Sequence, residues 1–107
     1  MLKATDSNFK REILDASEVV LVDFWAPWCM PCRMLGPIVD RVDREYGHKI
    51  KFAKLNVDEN QQTAGQYNIM SIPTMLFFRG GKEVERVTGV LSEKALKDLV
   101  DQVLARK

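Results

Sequence analysis

The run Val19-Val20-Leu21-Val22-Asp23-Phe24-Trp25 constrains this chain most. Apart from Asp23 every residue in it is apolar, and valines dominate, as expected of a β-strand. A strand with one wet face alternates apolar and polar residues, whereas a strand covered on both faces reads as a continuous apolar run. The segment is therefore expected in the middle of a sheet, with helices packed on either side.

The flanking pattern supplies those helices and the other strands. Leu2 to Thr5 reads as a short edge strand. Asp6 or Ser7 is placed to cap a helix in which Phe9 and Ile13 share one face. From Pro31 to Tyr46, Leu35, Ile38, Val39, Val42 and Tyr46 recur at helical spacing. Pro31 suits a first helical turn, and Pro37 is expected to kink the interior. Lys51 to Val57 reads as a strand closed by Asp58, followed by a short polar helix over Asn60 to Tyr67. Thr74 to Phe78 and Glu83 to Thr88 form a hairpin about Gly80-Gly81, and Gly89 ends it. Ser92 can cap a last helix carrying the stripe Leu96, Leu99, Val100, Val103 and Leu104. The order β-α-β-α-β-α-β-β-α predicts an α/β fold in which a mixed five-stranded central sheet is covered by helices on both faces. Residues 1–107 are expected to form a single domain.

Charge and hydropathy narrow the function classes. With 16 basic and 15 acidic residues interspersed, the net charge of +1 provides no basic stripe for nucleic acid. No apolar stretch approaches the ~18 residues of a membrane span. Met1 to Phe9 lacks the pattern of a signal peptide, so a cytoplasmic location is the default expectation.

The chain's two cysteines, Cys29 and Cys32, lie where the apolar strand gives way to the amphipathic helix. A domain of this size and a 46% apolar content needs no staple. A bridge closing so small a loop would add little stability. Zinc takes four ligands, and one chain offers these two thiols and the lone histidine, His48, in an expected solvated loop. No metal ligands are expected within one chain; two copies sharing their pairs is the remaining metal arrangement. At a helix start the unpaired backbone N–H groups and the helix dipole favour a thiolate on Cys29, with Arg33 close enough in sequence to add positive field. Cys29 then attacks a disulfide in another molecule, and the more buried Cys32 attacks the Cys29 sulfur to release the reduced partner. Pro31 stiffens the dipeptide between them.

Asp23 is the lone charge in its strand, and two readings are open to it. Burial would raise its pKa and make it a proton carrier for the cysteine pair. Alternatively it is a structural acid that caps a backbone group or pairs with a lysine; Lys54 on the following strand is placed for such a pair, which would pull that pKa back down.

The sequence resembles the thioredoxin family over nearly its whole length. The likeness rests on Val22-Asp23-Phe24-Trp25-Ala26, Trp28-Cys29, Pro31-Cys32-Arg33, Pro37, Asn56-Val57-Asp58, Ile72-Pro73-Thr74, Gly80-Gly81 and Gly89. The resemblance implies the thioredoxin fold and cytoplasmic reduction of protein disulfides by a monomer. No bound cofactor is implied; electrons would come from NADPH through thioredoxin reductase. It makes Cys29 the nucleophile and Cys32 the resolving thiol. Asp23 becomes the acid that moves protons to Cys32, with Lys54 as its neighbour. Pro73 matches a cis-proline facing the disulfide, an isomer that would expose the Ile72 backbone to a docked peptide. Trp28, Ile72, Pro73, Gly89 and Val90 match an apolar substrate groove, which Met30 and Pro31 extend.

One departure lies in the motif: the family's usual Gly-Pro dipeptide is Met30-Pro31 here. Met30 is either a tolerated substitution or, with Met70, a flexible and oxidation-sensitive addition to the docking rim. Because the dipeptide helps set the potential, an oxidase or isomerase of higher potential is the alternative reading. A redox-independent accessory subunit that uses only the apolar groove is another.

Overall fold

The computed structural model describes residues 1–106. One mixed sheet is built from β1 (Leu2–Lys3), β2 (Val20–Trp25), β3 (Lys51–Asn56), β4 (Thr74–Arg79) and β5 (Lys82–Thr88). Their order across the sheet is β1-β3-β2-β4-β5. The helices are α1 (Met30–Tyr46), α2 (Gln61–Gln66) and α3 (Glu93–Ala105), with a single π-type turn over Lys10–Leu14.

The apolar run takes the central place its composition demands. β2 runs parallel to β3, with Asp23 opposite Lys54, and antiparallel to β4, with Asp23 opposite Met75. Alternate side chains leave the strand on opposite faces, so two cores form. Leu21 joins Phe52, Met75 and Phe77 beneath Leu35, Val39 and Val42 of α1 and Leu96, Val100 and Val103 of α3. Val20, Val22 and Phe24 enter the second core with Leu55, Leu76 and Phe78, closed by Phe9 and Ile13 and lined by Tyr67 and Ile69. Asp23 consequently projects toward the α1 side.

Local chemistry sets the element ends. Ser92 Oγ accepts from the Ala95 N–H at 3.1 Å, the expected cap of α3. Pro31 occupies the first turn of α1, and the helix continues through Pro37 to Tyr46. Its amphipathic face is held by the burial of Leu35, Val39, Val42 and Tyr46. The expected capping of the first helix by Asp6 or Ser7 does not occur. The Lys10–Leu14 turn has no side-chain cap. Asp6 Oδ1 instead accepts from both N and Oγ1 of Thr63, at 2.8 and 2.6 Å, and so anchors the start of α2. Phe9 and Ile13 are nonetheless buried together, so packing rather than capping fixes that segment.

Gly80 and Gly81 make the hairpin turn at φ +58° and +81°. These are the two positive φ angles of a type I′ turn. A Cβ on Gly81 would also sit 3.1 Å from the Leu14 carbonyl oxygen, whereas one on Gly80 meets open space. Gly81→Ala is therefore expected to destabilise the fold by about 1–2 kcal/mol and Gly80→Ala by about 1 kcal/mol or less. Urea unfolding of the two variants checks that order.

Candidate active site

β2 ends at Trp25, and a short turn delivers the chain to Cys29, the N-cap residue of α1. Cys29 has extended backbone angles (φ −88°, ψ 112°), so its side chain turns back over the first helical turn. There the Cys32 N–H points at Cys29 Sγ from 3.3 Å. The two residues are joined as a disulfide with a Cα–Cα separation of 5.2 Å. Both are buried, Cys32 marginally more so, in a small cluster with Ala26, Trp25, Val57 and Ile72. Cys29 Sγ also lies 3.7 Å from the Ile72 carbonyl oxygen. The Ile72–Pro73 bond is cis, as the family resemblance implied.

Around this nearly covered disulfide the surface is apolar and exposed. Trp28 is 68% exposed, Met30 61%, and Val90 is also open. The indole is not loose: its Nε1 donates to Asp58 Oδ2 at 2.8 Å. Trp28, Ile69, Met70, Ser71 and Ile72 line a shallow groove on one side. Gly89, at φ +94°, donates its N–H to the Pro73 carbonyl at 2.9 Å and so ties the segment leading into Val90 to the cis-proline residue. Pro31 is exposed and Pro73 buried.

On the inner side of Cys32 lies a pocket of about 130 Å³, lined by Asp23, Trp25, Cys32, Arg33, Gly36, Asp40, Lys54 and Met1. Asp23 is 4% exposed, and its Oδ1 has no hydrogen-bond partner. Burial pushes its pKa up to about 7; Lys54 opposes that rise, and Asp40 adds to it. The alternative reading, an Asp23–Lys54 ion pair, does not form: no contact within 4 Å joins them among the described residues. Lys54 is an exposed side chain whose Nζ lies 5.4 Å from the centroid of the Trp25 ring, a cation–π arrangement. The strand register puts the two residues side by side, but backbone neighbours are not thereby side-chain partners.

Sequence reasoning missed three participants. Asp40 reaches the pocket because Cys32, Gly36 and Asp40 recur every fourth residue along α1, a spacing visible in the sequence. Met34, 59% exposed, follows Met30 by the same interval. Asp58 as the anchor of Trp28 had no sequence signal, since the pair is thirty residues apart. His48 is exposed, as expected. Among the described residues no group of three or more His, Cys, Asp or Glu is placed to hold a metal ion.

A family model described as Thioredoxin matches residues 1–102. The chain belongs to the thioredoxin family. It is 50% identical over 102 residues to Thioredoxin 1 of a Nostoc species, covering 95% of both chains. To a Thioredoxin of Chlorobaculum thiosulfatiphilum it is 52% identical, over 94% of this chain and 93% of that one. To the Thioredoxin of Bacillus subtilis it is 48% identical, over 97% and 98%. Family membership and a cysteine pair already joined as a disulfide make the chain a thiol–disulfide oxidoreductase with no prosthetic group. The oxidase and accessory-subunit alternatives gain no support from these relatives.

A buried acid with a raised pKa leaves a signature in stability. Unfolded, Asp23 ionises near its ordinary value of about 3.9; folded, it holds its proton to about 7. Between those values the native state binds more protons than the unfolded chain, so this contribution to stability falls as pH rises. From pH 5 to 8 the loss from this group is expected to be about 2–3 kcal/mol. Asp23→Asn should flatten that decline and raise stability at pH 8, measured by urea unfolding at both pH values. Glu12, Glu83 and Glu93, whose pKa values are held low by basic partners, change stability only at more acidic pH.

Proposed function

We propose that the chain is a protein-disulfide reductase in which Cys29 attacks and Cys32 resolves. The observation that carries this reading is the position of Cys29: its sulfur sits at the N-cap of α1, toward the Cys32 N–H. In the dithiol form, the unpaired N–H groups and the positive end of the helix favour the Cys29 thiolate. That thiolate attacks one sulfur of a substrate disulfide. A mixed disulfide forms, and the other substrate sulfur leaves as a thiolate and takes a proton. The Cys32 thiol then gives its proton across the shared pocket to ionised Asp23. The resulting thiolate attacks Cys29 Sγ, closing the Cys29–Cys32 disulfide and freeing the second substrate sulfur.

A pKa of about 7 suits Asp23 to this exchange, because a base works best near the pH at which it operates. Lys54, held over Trp25 on the same pocket, moderates the cost of ionising Asp23 without sealing it in an ion pair. The rim formed by Trp28, Met30, Pro31, Ile72, Pro73, Gly89 and Val90 receives the substrate segment around its disulfide. Apolar contact there supplies affinity that does not depend on one sequence.

The dithiol is regenerated by thioredoxin reductase with electrons from NADPH. The reading takes residues 1–107 as one domain working as a cytoplasmic monomer on disulfide-containing proteins. In support, no helix among the described residues is long and apolar enough to cross a membrane. The relatives also match along almost their full length.

Insulin reduction coupled to NADPH and thioredoxin reductase tests the roles. The native chain should turn over, and Cys29→Ser should abolish activity. Cys32→Ser should accumulate a mixed disulfide through Cys29, visible by non-reducing mass spectrometry. Trapping through Cys32 in the Cys29→Ser variant would reverse the assignment. Asp23→Asn is expected to slow resolution about tenfold or more at pH 7, with initial attack little changed.

A further inference from the structure

Methionine is the residue this chain concentrates around its disulfide. Met30, Met34 and Met70 are 61%, 59% and 91% exposed, whereas Met75 of β4 is fully buried in the core. They occupy the two segments that flank Cys29. Met30 opens α1 directly after the cysteine, and Met34 follows one turn later on the same helix face. Met70 lines the groove with Trp28 and Ile72, and the Ile72 carbonyl lies 3.7 Å from Cys29 Sγ. A thioether is apolar and adaptable, so these side chains give a substrate segment a compliant surface. Oxidation makes each one polar.

We propose that Met30, Met34 and Met70 form a modification site: their oxidation by a hydroperoxide reversibly weakens substrate docking while leaving the Cys29–Cys32 chemistry intact. The proposal rests on the docking rim described above. In each event the peroxide O–O bond breaks and one oxygen passes to the thioether sulfur. That sulfur is oxidised by two electrons, a sulfoxide forms, and the peroxide is reduced to water or an alcohol. In the disulfide form neither cysteine presents a thiolate to the oxidant. Met30, Met34 and Met70 are then the most exposed sulfurs, ahead of Met1 at 43%. The state in which the chain awaits its reductant is the state in which the rim reacts first.

The test treats the disulfide form with hydrogen peroxide, removes the oxidant, and maps sulfoxides by peptide mass spectrometry. Met30, Met34 and Met70 should be oxidised before Met75. The kcat/KM for insulin should fall about fivefold, corresponding to about 1 kcal/mol of docking. The rate at which dithiothreitol reduces Cys29–Cys32 should change less than twofold. A methionine sulfoxide reductase should restore insulin turnover. The combined variant Met30→Leu, Met34→Leu, Met70→Leu is compared with its own untreated sample, and that ratio should stay near one. Undiminished insulin turnover by chain carrying all three sulfoxides would overturn the proposal. So would equal peroxide sensitivity in the leucine variant, or an equal fall in the dithiothreitol rate. Failure of the reductase reading would appear differently, as absence of insulin turnover in the untreated chain.

Discussion

Everything in this molecule hangs on the burial of β2. The strand is paired on both edges and covered on both faces, so neither its register nor its twist can drift without exposing Val20, Val22 and Phe24 on one side or Leu21 on the other. A one-residue slip would exchange those faces. The turn leaving its end therefore starts from a fixed point. Cys29 inherits that rigidity as the N-cap of α1, itself locked by Leu35, Val39 and Val42 in the same core. Sulfur chemistry that depends on tenths of an ångström is placed by a strand that can sit in only one way.

The same strand carries the cost. Asp23 occupies a position where every neighbour in sequence is apolar, and its Oδ1 has no partner. An unpaired buried carboxylate destabilises a fold, and burial accordingly raises the Asp23 pKa to about 7. The proton-transfer role proposed above accounts for its presence there: Asp23 and Cys32 line one pocket. Stability and the proposed proton transfer thus make opposing demands on this side chain.

The sheet was legible because its signals are local. The apolar run Val19 to Trp25, the Gly80-Gly81 turn and the Ser92 cap each act within a few residues, and all three appear where the pattern puts them. The thiols were legible for the same reason, being three residues apart at a strand-to-helix junction. What escaped depends on side chains meeting across the chain. Asp6 serves Thr63 rather than its own helix, because an N–H and a hydroxyl together offer it more than one cap. Lys54 chooses the face of Trp25 over Asp23, although the register sets the two side by side. The Ile72–Pro73 isomer was open by chemistry, since either form of such a bond is accessible, and came only from the family resemblance.

The central claim is that the end of β2 and the start of α1 make Cys29, and not Cys32, the reactive thiolate. Alkylation of the fully reduced chain with limiting iodoacetamide across pH 5 to 10, with the label located by peptide mass spectrometry, tests it directly. The account predicts that Cys29 is labelled first at every pH, with a midpoint clearly below the ~8.5 of an ordinary thiol. Preferential labelling of Cys32, or equal labelling of both with an ordinary midpoint, would contradict it.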